Sequence, residues 1–235
     1  MTAILILELF TAFQESGSPP VAADTGMIHG VLVDTKRGEV AFTAKVRHPK
    51  GKPCIDAWGQ RVQAFVGTTV AGGRPTEYAD HFVFLAEVDV NDIYKGLVEI
   101  GLQTEKHVSR AEGRKVAGRD FLKGDPVAVF ITWREGDRWV EKPYEAFVRE
   151  KVTVGGKEVI KPWTPHWVFH GSGVLHNERT GCIACPCDCP GGIIADNRNP
   201  IFEPKPTVFF DLAEAPPKGS KVIVRIHPRS GSKGP

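Results

Sequence analysis

Four of the five cysteines in this chain, Cys182, Cys185, Cys187 and Cys189, fall within eight residues as C-x2-C-x-C-x-C. Thiols at that density bind a metal ion or cluster, pair as disulfides, or stay free and reactive. A tetrahedral zinc site, with Zn–S of about 2.3 Å, sets its sulfurs roughly 3.8 Å apart. A C-x2-C loop reaches that spacing easily. C-x-C reaches it where the backbone turns, and Pro186 and Pro190 favour such turns. An iron–sulfur cluster also takes four thiolates, but over a larger body, and its usual pattern draws the fourth cysteine from elsewhere. Two local disulfides would close loops so short that the entropic gain is small. No His follows Cys185, which excludes a C-x-x-C-H haem attachment. A thioredoxin-like role for Cys182 and Cys185 needs the motif to open a helix, and Pro186 opposes one.

Three histidines precede the cluster: His166, His170 and His176. On an extended strand His166 and His170 share a face, with Trp167 and Phe169 on the other. Four residues of strand separate them by roughly 13 Å, too far to share one ion. The pattern predicts a buried aromatic face and an exposed histidine face. His176, nearest the cluster, is the best accessory ligand. Gly171-Ser172-Gly173 is not G-x-S-x-G, so a hydrolase elbow is excluded. Asp188, inside the cluster, either ligates a hard cation or faces water. Asp196, Asn197 and Asn199 lack the spacing of a calcium loop and read as Asx turns. Tyr78, Asp80 and His81 read as loop residues before a strand, and Cys54 as a lone turn or core thiol, with a distant ligand role as its alternative.

The elements that must position these residues are mostly strands. Gly 25 and Pro 18 make up about 18% of the 235 residues, against a usual ~12%, which predicts many turns. Residues 28–33 and 39–46 flank a hairpin loop, and in the second run Val40, Phe42, Ala44 and Val46 alternate with polar positions. Further strands are predicted at 81–90, 126–133, 138–140, 144–154, within 163–174, at 207–212 and at 221–226. Ile93, Tyr94, Leu97 and Val98 fall at helical spacing, with Asp89 and Asn91 available as N-caps and Gly101 as a stop. The predicted class is α+β: mainly antiparallel β-sheet, one principal helix over about residues 91–101, and a cysteine-rich loop.

Residues 4–13 (ILILELFTAF) resemble the apolar core of an export signal, but no basic residue precedes them and Glu8 interrupts them. They are too short to span a bilayer. Residues 14–24 have linker composition. The expected organisation is a leader-like or linker segment over 1–25, one domain over 26–228 and a tail over 229–235, with no transmembrane segment. The net charge of +2 without a basic run argues against nucleic acid as a partner.

From residue 28 to 212 the order of segments resembles the YdjY-domain family of bacterial, mostly exported proteins. The resemblance is carried by VLVDTKRGEVAFTAKV (31–46), TEYADHFVFLAEVDVNDIYKGLVEIGL (76–102), PVAVFITW (126–133) and WVFHGSG (167–173). The chain departs from the family pattern at Thr76-Glu77-Tyr78-Ala79-Asp80-His81, where Thr-Lys-x-His-Glu is more usual, and in its cysteine cluster. The resemblance implies a fold and an extracytoplasmic location but no established activity; some members are labelled iron–sulfur or ferredoxin-like. The functional expectation is a non-catalytic metal-binding or iron–sulfur electron-transfer module. Cys182, Cys185, Cys187 and Cys189, with His176 as accessory, would hold the metal ion or cluster. One alternative is a disulfide-stapled structural protein engaging a protein partner through sheet edges or loops. The other is a thiol-dependent redox enzyme.

Overall fold

The alternation over 39–46 produces the strand it predicts. In the computed structural model, which describes residues 25–47, 66–113, 115, 121–198 and 208–229, β3 (Glu39–Val46) pairs antiparallel with β2 (Val31–Asp34). Gly38 closes the turn between them at φ 62°, a conformation that costs glycine little. β1 (Thr25–Ile28) folds back along β2. The leader-like segment up to residue 24, Cys54, Asn199 and residues 230–235 lie outside the described residues.

Beyond the first hairpin come β4 (Val66–Ala71), β5 (Arg74–Pro75), β6 (Phe84–Asp89) and β7 (Thr104–Lys106). The long β8 (Lys123–Glu135) turns into β9 (Arg138–Pro143), followed by β10 (Val148–Val154), β11 (Lys157–Pro162) and β12 (Trp167–Phe169). β13 (Cys182–Cys185), β14 (Ile194–Asp196), β15 (Val208–Phe210) and β16 (Lys221–Pro228) complete the set. Eight of these close on themselves. From β3 the hydrogen bonds run through β16, β8, β12, β14, β13, β4 and β6 and return to β3. Two pairs in the ring, β13 with β14 and β4 with β6, are parallel; the other six are antiparallel. β11, β10 and β15 form a separate three-stranded sheet.

This closure overturns the α+β class. Half of the described residues are in strands and 16% in helices, so the protein is mostly β, built on an eight-stranded barrel. The expected principal helix has no layer to itself. It corresponds to α1 (Val90–Glu99), ten residues laid across β2, β3, β4 and β6. Among the described residues the two other α-helices, α2 (Arg110–Gly113) and α3 (Ser172–Leu175), have four residues each, and three short 3-10 turns make up the rest of the helical share. Helical spacing is a local signal, whereas barrel closure depends on pairings between distant strands, and the class is decided by the latter.

Closure gives β3 a buried inner face, and its outer face is covered at Glu39 and Ala41 but open at Lys45. Phe42 and Val40 point into the main core with Phe84, Tyr144, Phe147 and Trp167. Ala41 on the other face is covered by Leu32, Ile223 and Trp139. The same logic corrects the reading of 166–170. Trp167, Val168 and Phe169 are all buried, and His170 is fully buried rather than on a solvated face. A strand in a barrel wall that also carries covering loops has no wet side.

Candidate functional site

The expected cysteine-rich loop is half strand. Cys182 and Cys185 open and close β13, which sits in the barrel wall between β4 and β14. In a regular strand, residues three apart point to opposite faces. Here the register with β4 shifts between Cys182 and Ala184, and such an irregularity re-aims side chains. Cys182, Cys185 and Cys187 consequently share one buried cluster with Phe82, bordered by Tyr78, Leu85 and Cys189. Gly67 stands opposite Cys182 and leaves room for the Phe82 ring, which a β-carbon there would strike.

After Pro186 the chain turns tightly: the Cys189 N–H donates to the Cys187 carbonyl at 2.7 Å, closing a three-residue turn over Asp188. Asp188 is buried, not water-facing. The loop then lies against α3 through close backbone contacts. Gly173 N–H donates to the Gly192 carbonyl at 2.7 Å, and a β-carbon on Gly173 would collide with the Gly191 carbonyl. Thr180 Oγ1 donates to the Gly191 carbonyl and accepts the Cys182 N–H at 3.2 Å, tying the two ends of the cysteine segment together.

All four thiols are unbridged. Cys185 Sγ and Cys187 Sγ stand 3.0 Å apart, far longer than a disulfide bond and closer than the edge of a tetrahedral thiolate site. Cys189 accepts from the thiols of Cys182 and Cys185 and from the Gly191 N–H, which hold it well below the usual thiol range. Donation to Cys189, with burial, holds Cys182 well above that range; burial first, then donation to Cys187 and Cys189, does the same for Cys185. Burial pushes Cys187 up to about 11. Cys189 is also the least enclosed of the four sulfurs. With the side chains in these positions, no three His, Cys, Asp or Glu among the described residues frame a ready-made ion position.

One tyrosine, Tyr78, borders the cluster, and another, Tyr144, lies in the main core. Tyr144 is fully buried, and its phenol is raised well above its ordinary range by burial and by Cys185, Cys187 and Cys182. Tyr78 lies on the outer side, where its hydroxyl accepts from Arg110 Nη2 at 2.7 Å. Asp196 carries out the turn expected of it, accepting the Arg198 N–H at 3.0 Å, and also receives the His166 N–H and the Trp163 indole N–H.

The histidines divide. His176 is exposed at the C-terminal end of α3, its ring 6.5 Å from that of His107. His170 is 0% exposed, and its Nδ1 accepts the Ser172 N–H at 3.2 Å. Burial lowers its pKa to about 3, so the ring is neutral, and Nε2 has no hydrogen-bond partner among the described residues. Strand periodicity places His170 beside His166 and misses this; the signal available in the sequence is the Gly171-Ser172-Gly173 bend that takes His170 out of the strand.

Neither the curated proteins nor the solved structures contain a match to this chain. No helix among the described residues is long and apolar enough to cross a membrane. The profile of the YdjY domain matches residues 31–227, from β2 to the penultimate residue of β16, and so takes in the whole barrel and the cysteine segment. The chain belongs to the YdjY-domain family.

Proposed function

We propose that Cys182, Cys185, Cys187 and Cys189 form a non-catalytic thiolate metal centre. The carrying observation is the grouping of the sulfurs: Cys182, Cys185 and Cys187 share one buried cluster bordered by Cys189, and Cys185 Sγ meets Cys187 Sγ at 3.0 Å. The four are one desolvated group rather than two separate pairs. Thiolates are soft ligands that select zinc, copper(I) or iron–sulfur chemistry over hard cations. Opening the 3.0 Å contact to the roughly 3.8 Å of a mononuclear tetrahedral site is a rotamer-scale change. A multinuclear iron–sulfur body would need the sulfurs spread farther, so a single thiophilic ion is the better fit. Its role is to fasten β13 and the 186–192 loop to the barrel or, with a redox-active metal, to carry an electron.

The same close contact supports a second reading. Cys185 and Cys187, once oxidised, would staple the loop as a disulfide in an extracytoplasmic interaction protein.

Elemental analysis with thiol counting on anaerobically purified protein tests both, beside a Cys185→Ser, Cys187→Ser variant. Metal in near-stoichiometric amount, lost in the variant, is the expected result. No metal, with thiols that titrate only after reduction, would overturn the metal centre in favour of the disulfide.

A further inference from the structure

A cleft of about 240 Å³ opens between the β4–β5 turn, the start of α1 and the segment that leads from α3 into β13. None of the four cysteines lines it. Hydrogen bonds fix both walls. Asp89 accepts the N–H groups of Gly72, Gly73 and Asn91, which ties the turn to the helix. Opposite, the Glu178 N–H donates to the Gly173 carbonyl at 2.7 Å, and the Arg179 carbonyl accepts the Glu77 N–H at 2.7 Å. The cleft is therefore preformed, as binding sites usually are.

Its lining holds polar groups with little else to bind. Arg74 has no hydrogen bond or ion pair among the described residues. Arg179 has one loose contact, Nη2 to Glu77 at 3.9 Å. The side-chain amides of Asn91 and Asn177 line the same space and have no hydrogen-bond partner among the described residues. Asn177 keeps its amide there at the cost of a left-handed backbone, φ 52°. Glu178, the acid of the lining, is partly engaged by Arg110, through the backbone N–H at 3.3 Å and Nη1 at 3.4 Å. Two arginines against one glutamate leave the lining a single surplus positive charge.

We infer that this cleft binds a small monocarboxylate that also carries a hydrogen-bond donor, a hydroxy or amino acid. Arg74 and Arg179 take the carboxylate, and Asn91, Asn177 and Glu178 offer acceptors to the donor group. The planar guanidinium fork matches a carboxylate in geometry and charge. A phosphate dianion matches the fork too, but it sets two negative charges against Glu178 and one surplus positive charge. The volume is below the ~300–1,000 Å³ of sites for drug-sized ligands, which limits the occupant to a small molecule. The inference goes beyond the metal centre and does not depend on it.

The test titrates glycolate, glycine and inorganic phosphate separately into the full chain and into Arg74→Gln, Arg179→Gln and Lys218→Gln. Proton–nitrogen NMR follows the arginine Nε–H groups and the asparagine side-chain amides, and the backbone spectrum shows that each variant is folded. Glycolate or glycine is expected to give saturable shifts at Arg74, Arg179, Asn91 and Asn177, with a Kd of roughly 1–10 mM for so small a probe. Whichever binds tighter identifies the donor group as hydroxyl or ammonium. Either cleft variant is expected to weaken binding by about tenfold or more. Lys218→Gln, which removes the same charge outside the lining, is expected to stay within about twofold of the parent. Shifts that grow without saturating would overturn the site, as would equal weakening in Lys218→Gln. Phosphate binding tighter than both carboxylates, and lost in the cleft variants, would overturn the carboxylate assignment and make this a phosphate site.

Discussion

Arg110 donates to the hydroxyl of Tyr78 at 2.7 Å, and this bond fastens the outer wall of the cysteine cluster to the rest of the protein. The same guanidinium reaches Glu77 at 3.1 Å and Glu178 at 3.4 Å, so it joins the segment before β6, the start of α2 and the approach to β13. Its stem also lies over Gly191, where a β-carbon would come within 3.3 Å of Arg110 Cδ. Tyr78 is therefore positioned as a shutter. Its ring covers the sulfurs, and its hydroxyl sets where the ring lies.

Tyr78→Ala removes the ring and opens the cluster to reagents. Thiol alkylation in the metal-free protein, or chelator extraction from the loaded one, is expected to speed up by about tenfold, as local opening becomes easier. Tyr78→Phe keeps the ring and loses one acceptor of an arginine that has two carboxylates left, so it is expected to stay within about twofold of the parent. Equal rates in the parent and Tyr78→Ala would show that reagents enter by another face.

Asp89 does two jobs at the start of α1. Its carboxylate accepts the Asn91 N–H at 2.9 Å as the helix cap, and also accepts the N–H groups of Gly72 and Gly73 in the β4–β5 turn at 3.0 and 2.6 Å. Asp89→Ala is expected to destabilise by about 1–2 kcal/mol, toward the upper end for a cap because the turn loses its acceptor as well. Asp89→Asn keeps an acceptor oxygen and is expected to lose less. Urea denaturation of the three proteins measures the order.

How much of this was legible in the sequence follows from the range of each interaction. The cap at Asp89 and the stop at Gly101 are local. Gly101 N–H bonds the Val98 carbonyl and Leu102 N–H the Leu97 carbonyl, the helix ending that a glycine there implies. The β2–β3 hairpin is local too, with both strands and turn in one stretch. The short strands β13 and β14 are not. Each has three or four residues, and β13 contains two cysteines and no β-branched residue but Ile183. They are strands because β4, β12 and one another supply partners from far along the chain. The four clustered cysteines were visible from spacing alone. Their shared burial depends on a register shift that no spacing encodes, and the burial of His170 depends on barrel closure.

Asp196 offers a check on the electrostatics beside the cluster. It is fully buried, and burial raises its carboxyl above the ordinary range although three N–H donors pull the other way. The folded chain therefore binds this proton more tightly than the unfolded chain does. Its stabilising contribution is complete below the unfolded value of about 3.9 and is lost as pH rises through the higher folded value. Trp163→Phe deletes the indole N–H that donates at 3.1 Å. The Asp196 carboxyl is then expected to titrate higher still, which carbon-detected NMR of the side chain would follow. A downward move in the variant would mean that the indole contributes little and that repacking admits water.

The proposed metal centre makes a prediction about stability that needs no knowledge of the ion. A ligand bound only by the folded state stabilises it by RT ln(1 + [L]/Kd), about 4 kcal/mol at a thousandfold excess over Kd. Three of the four sulfurs sit on or beside β13, whose neighbours β4 and β14 complete the barrel ring. Stripping the ion should therefore lower the stability of the barrel as a whole and not fray a surface loop alone. Thermal unfolding followed by near-ultraviolet circular dichroism reads the barrel core, because Tyr144, Trp163 and Trp167 pack edge to face within it. The unfolding temperature of the parent is expected to drop on chelation and to recover in proportion to the logarithm of added zinc. The Cys185→Ser, Cys187→Ser variant should start low and respond to neither. A parent whose unfolding temperature ignores chelator but falls with reductant would instead assign the same stabilisation to a disulfide.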